Sequence, residues 1–227
     1  LPATHACIRR MLELNAIDLV LDIGANRGQF ALLLRQLNYT GEIVSFEPLS
    51  SCRAHMESLT GSDPNWRNEP FAVGNVSTEI DLHVFTDETF SSIHAVNQTA
   101  QNRFGALVRE TRIERVPMLR LDDWWSEYSK DSTHRILLKT DTQGNDLAVL
   151  QGAQTVLAST HAIVTEAAFL PLYDSAPGFV QLATYVADHG FVPSGIYPIS
   201  HQPEDMSLIE ADCIFTRPTR GSNYRQT

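Results

Sequence analysis

Residues 18–23 read DLVLDI and residues 22–28 read DIGANRG. A short apolar run that stops at a glycine marks a strand buried on both faces, here leading through a tight turn into a helix. That junction opens a parallel α/β sheet: Gly24 permits the turn, and Gly28 lets the helix start close to the strand. The rest of the chain keeps the alternation of strand and helix. Helices are predicted over residues 6–14, 29–37, 121–128, 146–157 and 179–189, the last ended by Gly190. A further helix, capped by Ser50 or Ser51, runs to about Leu59. Strands are predicted over 42–46, 68–73, 80–85, 116–119, 135–139 and 162–166, and 191–197 with 207–215 reads as a closing hairpin. Residues 86–112 are the least regular part, polar, with a helix over 100–109, and read as a lid or substrate loop.

The spacing of the turn glycines limits the ligand. A dinucleotide fingerprint is G-x-G-x-x-G, in which the middle glycine makes room for a pyrophosphate. Here that middle position is Asn26 and the pattern is G-x-x-x-G, with Asp22 two residues ahead. This suits a nucleoside without phosphates. The backbone at Gly24, Ala25 and Asn26 can approach such a ligand, the helix N-terminus offers N–H groups to a carboxylate, and Asp22 can hold an ammonium. The second strand ends in Phe46-Glu47-Pro48. An acid about 20 residues beyond the glycine turn binds ribose hydroxyls, and Phe46, Pro48 or Leu49 can wall a base.

Composition narrows the setting. A chain of 227 residues fits a single domain. Residues 1–17 read as a lead-in helix, 86–115 as a lid or acceptor-binding insertion, and 218–227 as a frayed tail. The net charge of −10 repels phosphate backbones and argues against a nucleic-acid partner. Cys7, Cys52 and Cys213 are far apart with no CxxC spacing, which fits reduced thiols and a cytoplasmic location. No apolar stretch approaches the roughly 18 residues of a transmembrane span. No coiled-coil heptads speak to oligomeric state.

In order, DIGANRG at 22–28, FEP at 46–48, AVG at 72–74, LDD at 121–123, KTDTQGND at 139–146 and LQGA at 150–153 make the chain resemble the FkbM-type methyltransferases over about residues 18–215. The resemblance implies a Rossmann-like class I methyltransferase fold: a mostly parallel sheet with a C-terminal antiparallel hairpin and helices on both faces. It implies S-adenosylmethionine as cofactor, with Ala72 and Val73 joining the cofactor set, and a hydroxyl of a sugar, glycolipid or polyketide-type molecule as acceptor. One position departs: the family often carries an acid directly before the glycine of the KxDxxG segment, and this chain has Gln143.

Methyl transfer is an in-line displacement, so the protein must align the acceptor and accept its proton. The ligand crevice of such a sheet lies at the C-terminal strand ends. There Asp141, then His94, then Glu166 are the candidate bases, with Lys139 orienting Asp141. Asp141 can equally cap the helix that follows Gly144. Phe169 to Tyr173 can line an acceptor pocket, with Tyr173 as a hydrogen-bond donor. Asp141 and Glu166 also supply oxygen ligands that suit Mg²⁺, but no tight acidic pair demands a metal, and Asp122-Asp123 is explained by the helix dipole. Other readings are an N-methyltransferase acting on a small molecule or a protein side chain, a nicotinamide oxidoreductase, and a non-catalytic nucleoside-binding module. The absence of [DN]-P-P-[FYW] and of G-x-G-x-x-G disfavours amide or adenine-nitrogen transfer and the oxidoreductase respectively.

Overall fold

The computed structural model describes residues 2–129 and 133–218. The elements in chain order are α1 (Ala3–Leu14), β1 (Leu19–Ile23), α2 (Gln29–Gln36), β2 (Glu42–Phe46), α3 (Ser50–Thr60), β3 (Trp66–Glu69), β4 (Ala72–Gly74), β5 (Thr78–Phe85), α4 (Gln98–Phe104), β6 (Glu110–Arg120), α5 (Leu121–Tyr128), β7 (Ile136–Thr140), α6 (Asp146–Gln151), α7 (Gln154–Ser159), β8 (Thr160–Ala168), α8 (Phe179–Asp188), β9 (Val192–His201) and β10 (Leu208–Thr216). Single 3₁₀ turns occupy Glu88–Phe90 and Gly105–Val108.

Seven strands form the main sheet in the order β3-β2-β1-β7-β8-β10-β9. Neighbours are parallel from β3 to β8, and β10 runs antiparallel to both β8 and β9. This is the expected α/β sheet with its C-terminal hairpin. All five residues of β1 are buried, which explains its continuous apolar run. Leu19, Leu21 and Ile23 face a core shared with α5, α6, α7 and α8. Val20 faces a second core with α1 and α2. The strand order reverses between β1 and β7, so the loops leaving these two strands part and open a crevice.

Several boundaries differ from the sequence reading. The single strand expected over 68–73 is two strands in different sheets. β3 pairs with β2, while β4 pairs with β6 in a small three-stranded sheet, β4-β6-β5. Pro70 lies between them and has no N–H to continue a ladder. The helix expected over 146–157 is broken at Gly152. The Asp122 N–H donates to the Gly152 carbonyl, and the Asp122 carboxylate caps the second half by accepting from Thr155 N at 2.8 Å and Val156 N at 3.2 Å. Asp122 therefore caps a neighbouring helix. Ser50 and Ser51 do not cap α3; Leu49 is its N-cap, and the two hydroxyls donate to Glu114 and Glu88. The tail reading lies outside the described residues apart from Pro218. Among the described residues no helix is long and apolar enough to cross a membrane. The cysteines are free thiols, with Cys52 and Cys213 buried.

Candidate active site

A cavity of about 880 Å³ opens at the C-terminal ends of β1, β2, β7 and β8. Its floor is set by a buried polar chain that the parallel register brings into line. Asp22 pairs with Ser45 on one side and Lys139 on the other, so the three side chains share one face of the sheet. Trp66 Nε1 donates to Ser45 Oγ at 2.9 Å, and Ser45 Oγ donates to Asp22 Oδ2 at 3.3 Å. Lys139 Nζ lies 3.1 Å from Asp22 Oδ1 and donates to the Gly24 carbonyl at 3.0 Å. Burial works against the charge on Lys139, but Asp22 and Asp141 more than offset it and hold its pKa above the usual lysine range.

This arrangement places Asp22 beneath the turn. It is fully buried, does not line the cavity, and is occupied by Lys139 and Ser45. Gly24 adopts φ +73°, and a Cβ there would fall 2.0 Å from the Asp141 carbonyl oxygen. The glycine is what allows the ends of β1 and β7 to lie so close. Gly28 packs on Trp66, whose ring would lie 2.7 Å from an added Cβ, and it stays outside the cavity lining. The turn N–H groups are used within the protein. Those of Gly24 and Ala25 donate to the Phe46 carbonyl, and that of Asn26 donates to Glu47.

Glu47 ends β2 and lines the cavity with Ala25, Asn26, Phe46, Ala72 and Val73. Its Oε2 accepts from Asn26 N at 2.7 Å and its Oε1 from Leu49 N at 2.8 Å. Each oxygen of an ionised carboxylate keeps a further lone pair. Burial lifts the Glu47 pKa to about 7, the two N–H donors pulling the other way. Phe46, Leu49 and Val73 are buried apolar neighbours.

At the other end, Lys139, Asp141, Glu166, Glu210 and Asp212 line the cavity. Asp141 Oδ2 lies 3.6 Å from Lys139 Nζ, and its Oδ1 accepts from Gln143 Nε2 at 2.9 Å. The partner of Asp141 is thus Gln143 and not an N–H of α6; Asp146 is the acid that accepts from Thr142 N. Glu166 Oε1 accepts from the same Gln143 Nε2 at 3.2 Å. Burial, then Asp141 and Glu210, push Glu166 well above the usual carboxylate range. His94 is not brought to this cavity. Its neighbours Ser91, Ser92 and Ile93 line it, while burial and His83 lower the His94 pKa.

Glu210 and Asp212 were not singled out in the sequence. Asp212 stands directly opposite Glu166 in the β8–β10 ladder. Two acids two residues apart share a strand face, but which strand end they would meet depends on the register. The 3₁₀ turn at Glu88–Phe90 forms part of the cavity wall. It is fastened by Glu88, which accepts from Arg27 at 3.2 Å, Ser51 at 2.8 Å and Arg112 at 3.3 Å. Residues 88–93 therefore border the cavity, while α4 packs away from it on Leu172, Tyr173 and Ile209. Among the described residues no group of three or more His, Cys, Asp or Glu side chains is placed to hold a metal ion.

The methyltransferase FkbM domain model matches residues 22–193. The 2-O-methyltransferase NoeI of Sinorhizobium fredii (strain NBRC 101917 / NGR234) is 28% identical over 182 residues, covering 75% of this chain and 71% of that protein. Among solved structures, methyltransferase FkbM from Methylobacillus flagellatus KT superposes with a TM-score of 0.54 at 14% identity, over 88% of this chain. This chain spans 43% of that protein's length. Aeropyrum pernix fibrillarin, solved with natively bound S-adenosyl-L-methionine, gives 0.50 at 8% identity, over 94% of this chain and 73% of its own. At such identities the structural likeness is one of fold. The donor set fits the cofactor: a carboxylate at the end of β2 can accept ribose hydroxyls, apolar walls beside it can hold a base, and the acid would repel a phosphate in its place. The chain belongs to the FkbM family and is an S-adenosylmethionine-dependent methyltransferase.

Proposed function

We propose that the chain transfers the methyl group of S-adenosylmethionine to a hydroxyl of a sugar, glycolipid or polyketide-type small molecule. The observation that carries this reading is one continuous cavity with Glu47 at one end and the Asp141–Glu166 pair at the other. In this reading Glu47 accepts the ribose hydroxyls, Phe46, Ala72 and Val73 wall the adenine, and Gly24, Ala25 and Asn26 border the methionine part. Gly28 and Asp22 serve from below: Gly28 seats α2 on Trp66, and Asp22 holds Lys139 against the Gly24 carbonyl.

The bound cofactor supplies an activated methyl on a sulfonium. With the cofactor bound, Asp141 would accept the proton of the acceptor hydroxyl as that oxygen takes the methyl group. Lys139 keeps that carboxylate aimed, and Glu166 with Glu210 orients neighbouring hydroxyls. The printed function of NoeI, a 2-O-methyltransferase, supports oxygen as the acceptor atom. The net charge of −10 and the acidic acceptor end disfavour a nucleic-acid acceptor. No step requires Mg²⁺. The free thiols fit a cytoplasmic setting.

The test has two parts. Calorimetry with S-adenosylhomocysteine fixes the cofactor end, and incubation of the full chain with labelled S-adenosylmethionine and a panel of methyl glycosides identifies an acceptor. Asp141→Asn is expected to lower turnover about 10²–10⁴-fold, the usual contribution of a general base, with S-adenosylhomocysteine affinity nearly unchanged. Turnover at the wild-type rate would remove Asp141 from the role.

A further inference from the structure

Gln143 stands between Asp141, just past the end of β7, and Glu166, near the end of β8. Its Nε2 donates to Asp141 Oδ1 at 2.9 Å and to Glu166 Oε1 at 3.2 Å. A primary amide has two N–H groups, so each carboxylate receives one. The other end of the amide is occupied as well: Tyr173 Oη lies 2.7 Å from Gln143 Oε1 and 3.0 Å from the Phe90 carbonyl oxygen. Turning the amide over would aim Oε1 at two carboxylates. The acids therefore select the orientation in which both N–H groups face them, and the single phenol hydrogen of Tyr173 is left to meet Gln143 Oε1 or the Phe90 carbonyl.

The backbone of Gln143 shows the same specialisation. Its φ is +54°, in the left-handed region that a residue with a Cβ rarely adopts. Such conformations persist where the surroundings hold them and cluster at functional sites. Here the Gln143 carbonyl accepts from Ser92 Oγ at 2.7 Å, which joins this residue to the cavity wall formed by residues 88–93. The charged and titratable groups around the amide are Lys139 and Asp141 from β7, Asp146 from α6, Glu166 from β8, Tyr173, and Glu210 and Asp212 from β10. The cluster is strongly acidic. A neutral double donor brings two of its carboxylates together without adding charge.

We infer that Gln143 is a positioning residue for methyl transfer: its amide, in contact with Tyr173, holds Asp141 and Glu166 side by side and leaves Asp141 Oδ2, 3.6 Å from Lys139 Nζ, as the oxygen that the amide does not engage. The inference rests on the proposed role of Asp141 for its catalytic meaning. The bridge itself can be tested independently of that role.

The experiment uses the full chain with the side-chain amide of Gln143 labelled with ¹⁵N and assigned through Gln143→Leu. Two distinct N–H proton resonances are expected, both slow to exchange. Asp141→Asn should shift one strongly and Glu166→Gln the other, while Tyr173→Phe should move both and speed their exchange at least tenfold. Each variant is checked for S-adenosylhomocysteine binding, which shows that it is folded. Two averaged, fast-exchanging protons, or shifts indifferent to the acid substitutions in binding-competent protein, would overturn the inference. If Asp141→Asn alters the amide signal yet keeps wild-type turnover, the bridge stands and the base assignment fails.

Discussion

Glu47→Gln is predicted to change stability and cofactor binding in opposite directions, with an effect on stability that depends on pH. In the folded chain the Glu47 carboxyl is lifted from 4.5 to about 7 by burial. At 1.36 kcal/mol per tenfold, the ionised form carries a penalty of about 3 kcal/mol at a pH above both values. Because the folded pKa lies above the unfolded one, the contribution of this group is favourable below about pH 4.5 and is lost as the pH rises through about 7. Glutamine resembles the protonated acid in charge and shape. Relative to its value near pH 4.5, the stability difference between variant and wild type should rise by up to about 3 kcal/mol in favour of the variant above pH 8. At roughly 2–4 °C per kcal/mol for a domain of this size, that is a Tm gain of up to about 10 °C. Glutamine must also present an N–H to Asn26 N or Leu49 N, which reduces the gain by about 1 kcal/mol or more. Binding should move the other way. Losing a charge-assisted acceptor for ribose costs about 1–3 kcal/mol in S-adenosylhomocysteine affinity, and wild-type affinity should itself fall as the pH drops below about 7. Denaturant unfolding at pH 5 and pH 8, with calorimetry at pH 8, measures both. A stability difference that does not vary with pH would refute the electrostatic argument, and unchanged affinity would take Glu47 out of the cofactor site.

Two further substitutions probe the floor of the cavity. Lys139→Met strands the fully buried Asp22 and should cost about 3–5 kcal/mol, with most of that recovered in Lys139→Met/Asp22→Asn; equal destabilisation of the single and double variants in urea titrations would rule out the pair as the cause. Gly24→Ala forces a Cβ to within 2.0 Å of the Asp141 carbonyl oxygen at φ +73° and should lower stability by more than about 2 kcal/mol, so a Tm within 2 °C of wild type would contradict the close approach.

What could be read from the sequence follows from where each signal is local. β1 and β2 were placed to within a residue because strands buried on both faces give apolar runs that end at a turn. Gly24 and Glu47 lie next to those ends, so their place at the crevice followed from the strands alone. Asp141 follows by the same logic from β7, whereas β8 runs two residues past the expected end, so Glu166 lies within the strand, paired across from Asp212. What was hidden depends on contacts between distant segments. Asp22 was read as facing a ligand, but its neighbours across the sheet, Ser45 and Lys139, decide that it is buried and paired. The break of the long helix is made by Asp122 from another element. Glu210 and Asp212 join the site only through an antiparallel register with β8. His94 shares a polar segment with residues that do line the cavity, and composition cannot tell which of them points inward.

The way the 3₁₀ turn at Glu88–Phe90 is tied down bears on how molecules come and go. Its fastening is Glu88, gripped by Arg27, Ser51 and Arg112, whose arginine side chains are 54% and 43% exposed. Such surface pairs contribute little individually and weaken as salt screens them. The floor beneath is a chain of buried groups, Trp66, Ser45, Asp22 and Lys139, shielded from such screening. Rising salt is therefore expected to loosen this stretch of wall before it disturbs the Asp22–Lys139 pair under the turn, which a salt-dependent rate of S-adenosylhomocysteine release would report.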